Sequence, residues 1–121
     1  MTLGEHQEAF AAHFVELVKQ AYTMGFAVRI GEVWRPQEMQ ELYVKMGRSK
    51  TLNSEHLKKC AADLVLLRGG KVCTRQEIKP LGEWWESLDP RNRWGGSWRG
   101  LVDQGKSSFV DAPHFERRTG A

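Results

Sequence analysis

Two short stretches hold the residues best suited to chemistry. His56 and Asp63 lie seven positions apart in SEHLKKCAAD, and Asp111 stands three residues before His114 in DAPHFE. Two imidazoles and a carboxylate suit zinc, and three protein ligands leave a fourth position for water, the pattern of a catalytic rather than a structural site. The same residues also read as a loop histidine, a hydrogen-bond acceptor at a strand end and an aspartate capping a turn, and spacing alone does not choose. The other two histidines, His6 and His13, have no carboxylate or cysteine at a familiar ligand spacing, so surface or boundary roles are expected for them.

Positioning such residues takes a loop that delivers His56, a strand that starts near Asp63 and a remote segment that brings back His114. Ala61 to Leu67 has the composition of a central strand, with Gly69 and Gly70 as its turn. Upstream, Phe10, Phe14, Leu17, Ala21 and Met24 recur every three or four residues and predict a helix with one apolar face. Ala27 to Trp34 reads as a strand in which Gly31 marks a bulge or a close backbone approach. A second helix follows Pro36, with Met39, Leu42, Tyr43 and Met46 as its expected buried face and Gly47 as its stop. Thr74 and Glu77 have capping-box spacing ahead of Ile78, Leu81, Trp85 and Leu88, with Pro80 expected to delay or kink that helix. A short extended run before Pro113 is expected to form an edge strand. The order of helices and strands predicts a single α+β domain over residues 1–121, with helices packed on an antiparallel or mixed sheet.

Composition narrows the functional classes. The 121 residues, 40% of them hydrophobic, suffice for one modest core. Eighteen basic against fifteen acidic residues give a net charge of +3, a mild pull toward a polyanion such as a cell wall. The basic residues are scattered and no zinc-finger or glycine-rich RNA-binding motif accompanies them, which argues against nucleic acid as a partner. Cys60 and Cys73, the only cysteines, are read as reduced thiols. The N-terminus carries Glu5 and Glu8 where a secretion signal would be basic and then apolar, and no apolar run approaches the roughly 20 residues of a membrane helix. Stable membrane insertion is not expected.

Four segments, in order, carry a resemblance. RPQEMQELYVKMGR (35–48), Ser54, His56, Ala61 and Asp63 in the pattern SxHxxxxAxD, WGGSW (94–98), and Asp111, Pro113, His114, Phe115 and Glu116 in DxPHFE together resemble the zinc D-alanyl-D-alanine carboxypeptidase family, especially its phage endolysin branch, the L-alanyl-D-glutamate endopeptidases. The resemblance spans about Val28 to Glu116. It implies the fold of these carboxypeptidases, with Zn2+ held by His56, Asp63 and His114. Asp111 is the implied general base, and Arg35 the implied residue that holds a substrate carboxylate or polarises the scissile carbonyl. Ser54 is implied beside the first ligand, where a supporting hydrogen bond or a substrate contact is expected.

Other positions are read from the residues beside that resemblance. Glu116 shares a face with His114 if the terminal strand is extended, and is expected to orient that imidazole. Trp94 and Trp98 flank two glycines and read either as the indole wall of a substrate groove or as core support. Lys59 stands where the family pattern has glycine, which predicts a cost if that backbone needs a positive φ. Ser97 stands where the endolysin pattern commonly has aspartate.

The resemblance implies a peptidoglycan endopeptidase that cuts the L-alanyl-D-glutamate amide of stem peptides and lyses the host cell. Such an enzyme is expected to be a monomer without a separate wall-binding domain. It is expected to reside in the host cytoplasm before lysis, to reach the periplasm or wall afterwards, and to depend on a membrane-permeabilising holin. The rivals are a D-alanyl-D-alanine or L,D carboxypeptidase with the same zinc site, and a noncatalytic wall-binding protein.

Overall fold

In the computed structural model, residues 1–120 are described. Helix α1 spans Leu3–Thr23 and opens on a capping box: the Thr2 hydroxyl accepts from the Glu5 amide (3.1 Å), and the Glu5 carboxylate accepts from the Thr2 amide (2.7 Å). Its inner face buries His6, Phe10, Leu17 and Ala21, with Phe14 and Met24 half-buried at the edge. His6 is thus not a surface residue; its ring accepts from Nε of Arg117 at 3.2 Å. Helix α3, Arg75–Leu88, is capped in the same way by Thr74 and Glu77. It runs through Pro80 without starting late, and turns Ile78, Leu81 and Trp85 inward.

Five antiparallel strands form the sheet: β1 (Ala27–Ile30), β2 (Ala61–Arg68), β3 (Lys71–Val72), β4 (Asn92–Trp94) and β5 (His114–Arg117). The order is β1-β2-β5-β4, with β3 paired to the far end of β2. Because side chains alternate across a strand, this register sorts residues onto two faces. Ala62, Leu64 and Leu66 of β2, Phe115 of β5 and Trp94 of β4 point one way and are buried beneath α1 and α3. Each buried leucine or phenylalanine there contributes roughly 1.5–3 kcal/mol relative to exposure. Asp63, His114, Glu116 and Arg93 share the opposite face through the pairs Asp63↔His114 and Arg93↔Glu116. One face of the sheet is core and the other is the floor of a site.

Three local expectations are corrected. β1 ends at Ile30 rather than Trp34, although the Gly31 amide still donates to the Asp63 carbonyl (2.7 Å) and the Asp63 amide to the Glu32 carbonyl (2.9 Å). The strand near the C-terminus follows Pro113 instead of preceding it, and lies between β2 and β4 rather than at an edge. The chain turns over residues 111–113, closed by the His114 amide on the Asp111 carbonyl (3.0 Å), so pairing begins at His114. Helix α2, Gln37–Lys45, does not bury Met39, Leu42, Tyr43 and Met46. Leu42 and Met46 are exposed and Gln40 is its one buried residue, because α2 lies against the polar site and adds nothing to the core.

Cys60 and Cys73 are buried free thiols, and burial pushes Cys60 up to about 11. Lys59 ends a single turn of 3-10 helix, Glu55–Lys58, with φ at 59°. A left-handed residue other than glycine costs about 1–2 kcal/mol, part of which glycine gives back as backbone entropy. Lys59→Gly is therefore expected to stabilise the fold by about 0.5–1 kcal/mol in chemical denaturation; a loss of stability would contradict this reading of the turn.

Candidate metal centre

The Glu55–Lys58 turn presents His56. Ser54 caps it, its hydroxyl accepting from the His56 amide at 3.2 Å, so Ser54 sets the backbone that carries the imidazole. The His56 ring is 1% exposed and its Nδ1 lies 2.8 Å from the Val33 carbonyl. That contact makes Nδ1 the donor and leaves the lone pair on Nε2. Strand β5 presents His114 with the opposite assignment: Nε2 lies 2.7 Å from Glu116 Oε1, which leaves Nδ1 as the free lone pair. The second oxygen of Glu116 accepts from Arg118 Nε at 2.6 Å, which fixes the carboxylate that fixes the imidazole.

Both free nitrogens aim at Asp63, His56 Nε2 at 3.3 Å and His114 Nδ1 at 3.4 Å from the same oxygen, Oδ1. At that separation and angle neither approach meets hydrogen-bond geometry, and His56 Nε2 and Asp63 Oδ1 are left buried without a hydrogen-bond partner. Buried polar atoms are rarely left so. One ligand atom from each of His56, Asp63 and His114 falls within a 4.8 Å cluster, the size that a single cation would bridge. Two borderline nitrogens and a carboxylate oxygen, with the other nitrogen of each imidazole anchored, fit a zinc-like ion.

Without metal, the charges around this space favour a proton on His114. Burial disfavours the charged form of His114, but the negative charge of Asp63 beside it and the hydrogen bond and charge of Glu116 overcome it and hold the imidazole at about 9. Burial likewise works against the Asp63 carboxylate, yet His114 and His56 keep it well below the usual range. The sign of the linkage follows. A histidine raised from 6.5 to about 9 stabilises the metal-free fold fully below about pH 6.5 and loses that contribution as pH rises through about 9. A metal ion must displace the same proton, so zinc affinity is expected to rise about tenfold per pH unit up to about pH 9 and then level off. Calorimetric titration of zinc in buffers of different ionisation enthalpy would measure the released proton; no proton release near neutral pH would contradict the site.

Asp111 sits in the loop before β5, its amide on the Gly95 carbonyl (2.8 Å). A Cβ on Gly95 would meet the Asp111 carbonyl oxygen at 2.3 Å, so only glycine permits that approach. Burial raises the Asp111 carboxyl above its ordinary value and Asp63 adds to the rise, against the opposing pull of His114, His56 and Arg35. Arg35 is buried, with Nε 2.6 Å from Glu32 Oε1, NH1 2.7 Å from Gln40 Oε1, and its guanidinium over the Tyr43 ring. Sequence reading missed Glu32 and Gln40. Glu32 is three residues from the arginine it pairs with, a usable signal, whereas Gln40 is a polar residue outside the apolar spacing of its helix.

These residues surround one cleft of about 1030 Å³ that brings together Arg35, Ser54, His56, Asp63, Trp98, Asp111, His114 and Glu116. Trp98 forms part of its wall, stacked on Phe109 and 5.4 Å from the His114 ring. Trp94 does not reach it. That indole is fully buried between Gly82 and Gly96, where an added Cβ would come within 2.2 and 2.1 Å of the ring, and its Nε1 donates to the Ala112 carbonyl at 2.8 Å. Trp94 is therefore a core residue that holds the Asp111 loop, not a substrate contact. Ser97 is buried as well; its hydroxyl accepts from the Gly100 amide and donates to Asp103, so Asp103 supplies a carboxylate beside the position where aspartate was expected.

No protein-family model and no curated protein matches the sequence. Among solved structures, the L-Ala D-Glu endopeptidase ChiX of Serratia marcescens matches with a TM-score of 0.62 and 25% identity, over 85% of this chain and 76% of that one. The chain has the DD-carboxypeptidase-like fold, and this likeness together with its histidine, aspartate, histidine triad supports a metal-dependent hydrolase of that general family.

Proposed function

We propose that this protein is a zinc-dependent peptidoglycan endopeptidase of the endolysin type, which hydrolyses the L-alanyl-D-glutamate amide of stem peptides. The observation that carries the proposal is the triad with its lone pairs converging on one point, next to a half-buried, raised carboxyl at Asp111 in an open cleft. The likeness to the L-Ala D-Glu endopeptidase ChiX supports the choice of bond.

His56, Asp63 and His114 would hold the ion, and zinc in such a site supplies Lewis acidity and lowers the pKa of water. The chain supplies the rest. Asp111 takes a proton from the attacking water and returns it to the leaving amine, a transfer for which a raised carboxyl is better matched than an ordinary one. Arg35 keeps a permanent positive charge at the cleft wall, where Glu32 and Gln40 fix its plane while part of its five-donor fork stays uncommitted. Glu116 holds the His114 tautomer. Trp98 gives the substrate an apolar wall.

The endolysin reading carries a proposed location and a proposed dependence: accumulation in the host cytoplasm and access to the wall through a holin. Among the described residues no helix is long and apolar enough to cross a membrane. A muramyl stem tetrapeptide tests the bond. Zinc-loaded protein is expected to release a tripeptide with a free glutamate amine; loss of the terminal D-alanine alone would make the enzyme a carboxypeptidase instead.

A further inference from the structure

The floor of the cleft continues past the triad. Glu116 lies two residues beyond His114 on the same face of β5, about 7 Å along the strand. Directly opposite it in β4 is Arg93, half-buried and lining the cleft. Glu116 is the natural partner for Arg93, but its oxygens are taken by His114 at 2.7 Å and by Arg118 at 2.6 Å. Glu86, the other carboxylate near Arg93, is engaged by the amides of Trp94 (3.0 Å) and Arg99 (2.7 Å). Among the described residues the Arg93 guanidinium therefore has no hydrogen bond or ion pair, while Arg118, half-exposed, stands beside the same carboxylate and also lines the cleft. Burial and the like charges of Arg118 and Arg99 push Arg93 below the ordinary arginine range. Two cations against committed carboxylates leave a local demand for an anion.

We propose that Arg93, flanked by Arg118, is a carboxylate-binding subsite that grips an acidic group of the substrate one to two residues from the scissile bond. The spacing comes from the sheet: Arg93 lies about 7 Å along the strand direction from His114 and one strand, about 4.8 Å, to the side, which about two residues of extended peptide at about 3.3–3.6 Å each span. The chemistry comes from the guanidinium, whose planar fork matches a carboxylate in a paired hydrogen bond. The proposal rests on the peptidase reading for the bearer of that carboxylate, a stem peptide, and makes acidic rather than amidated stems the preferred substrate class.

Two measurements test it separately from the peptidase reading. In the first, zinc-loaded protein and its Arg93→Ala and Arg93→Lys variants are given a stem tetrapeptide with free carboxyls and its counterpart with those carboxyls amidated. Arg93→Ala is expected to raise KM about tenfold for the acid peptide with little effect on the amide, and Arg93→Lys to recover part of the loss. An equal loss on both peptides, or none, overturns the subsite. In the second, the arginine Nε–H signals of the wild-type protein are followed by NMR as glutarate or neutral glutaramide is added. The Arg93 signal is expected to move with glutarate alone; no movement overturns the subsite even if both peptides are cleaved. Movement without cleavage of either peptide leaves the subsite standing and removes the peptidase reading.

Discussion

Asp111→Asn is expected to lower turnover on a stem peptide about 10²–10⁴-fold while the protein still binds zinc. Asparagine keeps the shape of the side chain and the loop bond between the Asp111 amide and Gly95, but it cannot accept a proton. The loss should therefore fall on kcat, with metal content unaltered, because Asp111 is not among the three residues that converge on the metal position. A second readout separates this from mere damage. The Asp111 carboxyl is raised chiefly by burial, so its ionised form destabilises the metal-free fold at neutral pH, and that cost disappears as pH falls and the group is protonated in both states. The asparagine variant should then melt higher than wild type at about pH 7 and match it below about pH 3. A variant that melts lower at neutral pH and loses zinc would assign Asp111 a structural role.

Substituting the metal position itself should have the larger effect. Asp63→Ala removes the one oxygen toward which both free imidazole nitrogens point. Zinc should no longer be retained at micromolar protein concentration, and hydrolysis should fall to background. The metal-free protein should also lose the pull that holds His114 at about 9, so the proton on that imidazole should leave at lower pH. NMR titration of the His114 ring would show this even in a variant with no activity. Retention of a full equivalent of zinc by Asp63→Ala would place the ion elsewhere.

How much of this was legible in the sequence depended on the kind of signal. The apolar period of α1, the capping box of Thr74 and Glu77 and the run from Ala61 were local patterns, and the structure has the corresponding helices and strand. His56, Asp63 and His114 stood out as candidates because few residue types serve as ligands, and the resemblance implied them as one set; the sheet register brings Asp63 and His114 together beside the turn that carries His56. Trp94 could not be assigned from its type, since an indole between glycines suits a groove or a core equally well; only the packing of Gly82 and Gly96 against it decides. The face of α2 failed for a related reason. Its apolar spacing was real, but the helix meets a polar site, and the inward residue is the one that can bridge Arg35 to the 49–51 loop. The strand at His114 was displaced from the expected run because residues before Pro113 serve a turn that sets Asp111. The Val33 carbonyl, which fixes the His56 tautomer, has no side-chain signature at all.

The central claim is that one metal ion at His56, Asp63 and His114 lets this cleft cut inside the stem peptide. Its most direct test is to digest purified peptidoglycan with the zinc-loaded protein, with and without a chelator, and to identify the new termini by mass. The account predicts new glutamate amines paired with muramyl-L-alanine ends, formed with zinc, lost on chelation and restored when zinc is returned. Intact stem peptides despite one bound zinc per chain would contradict it.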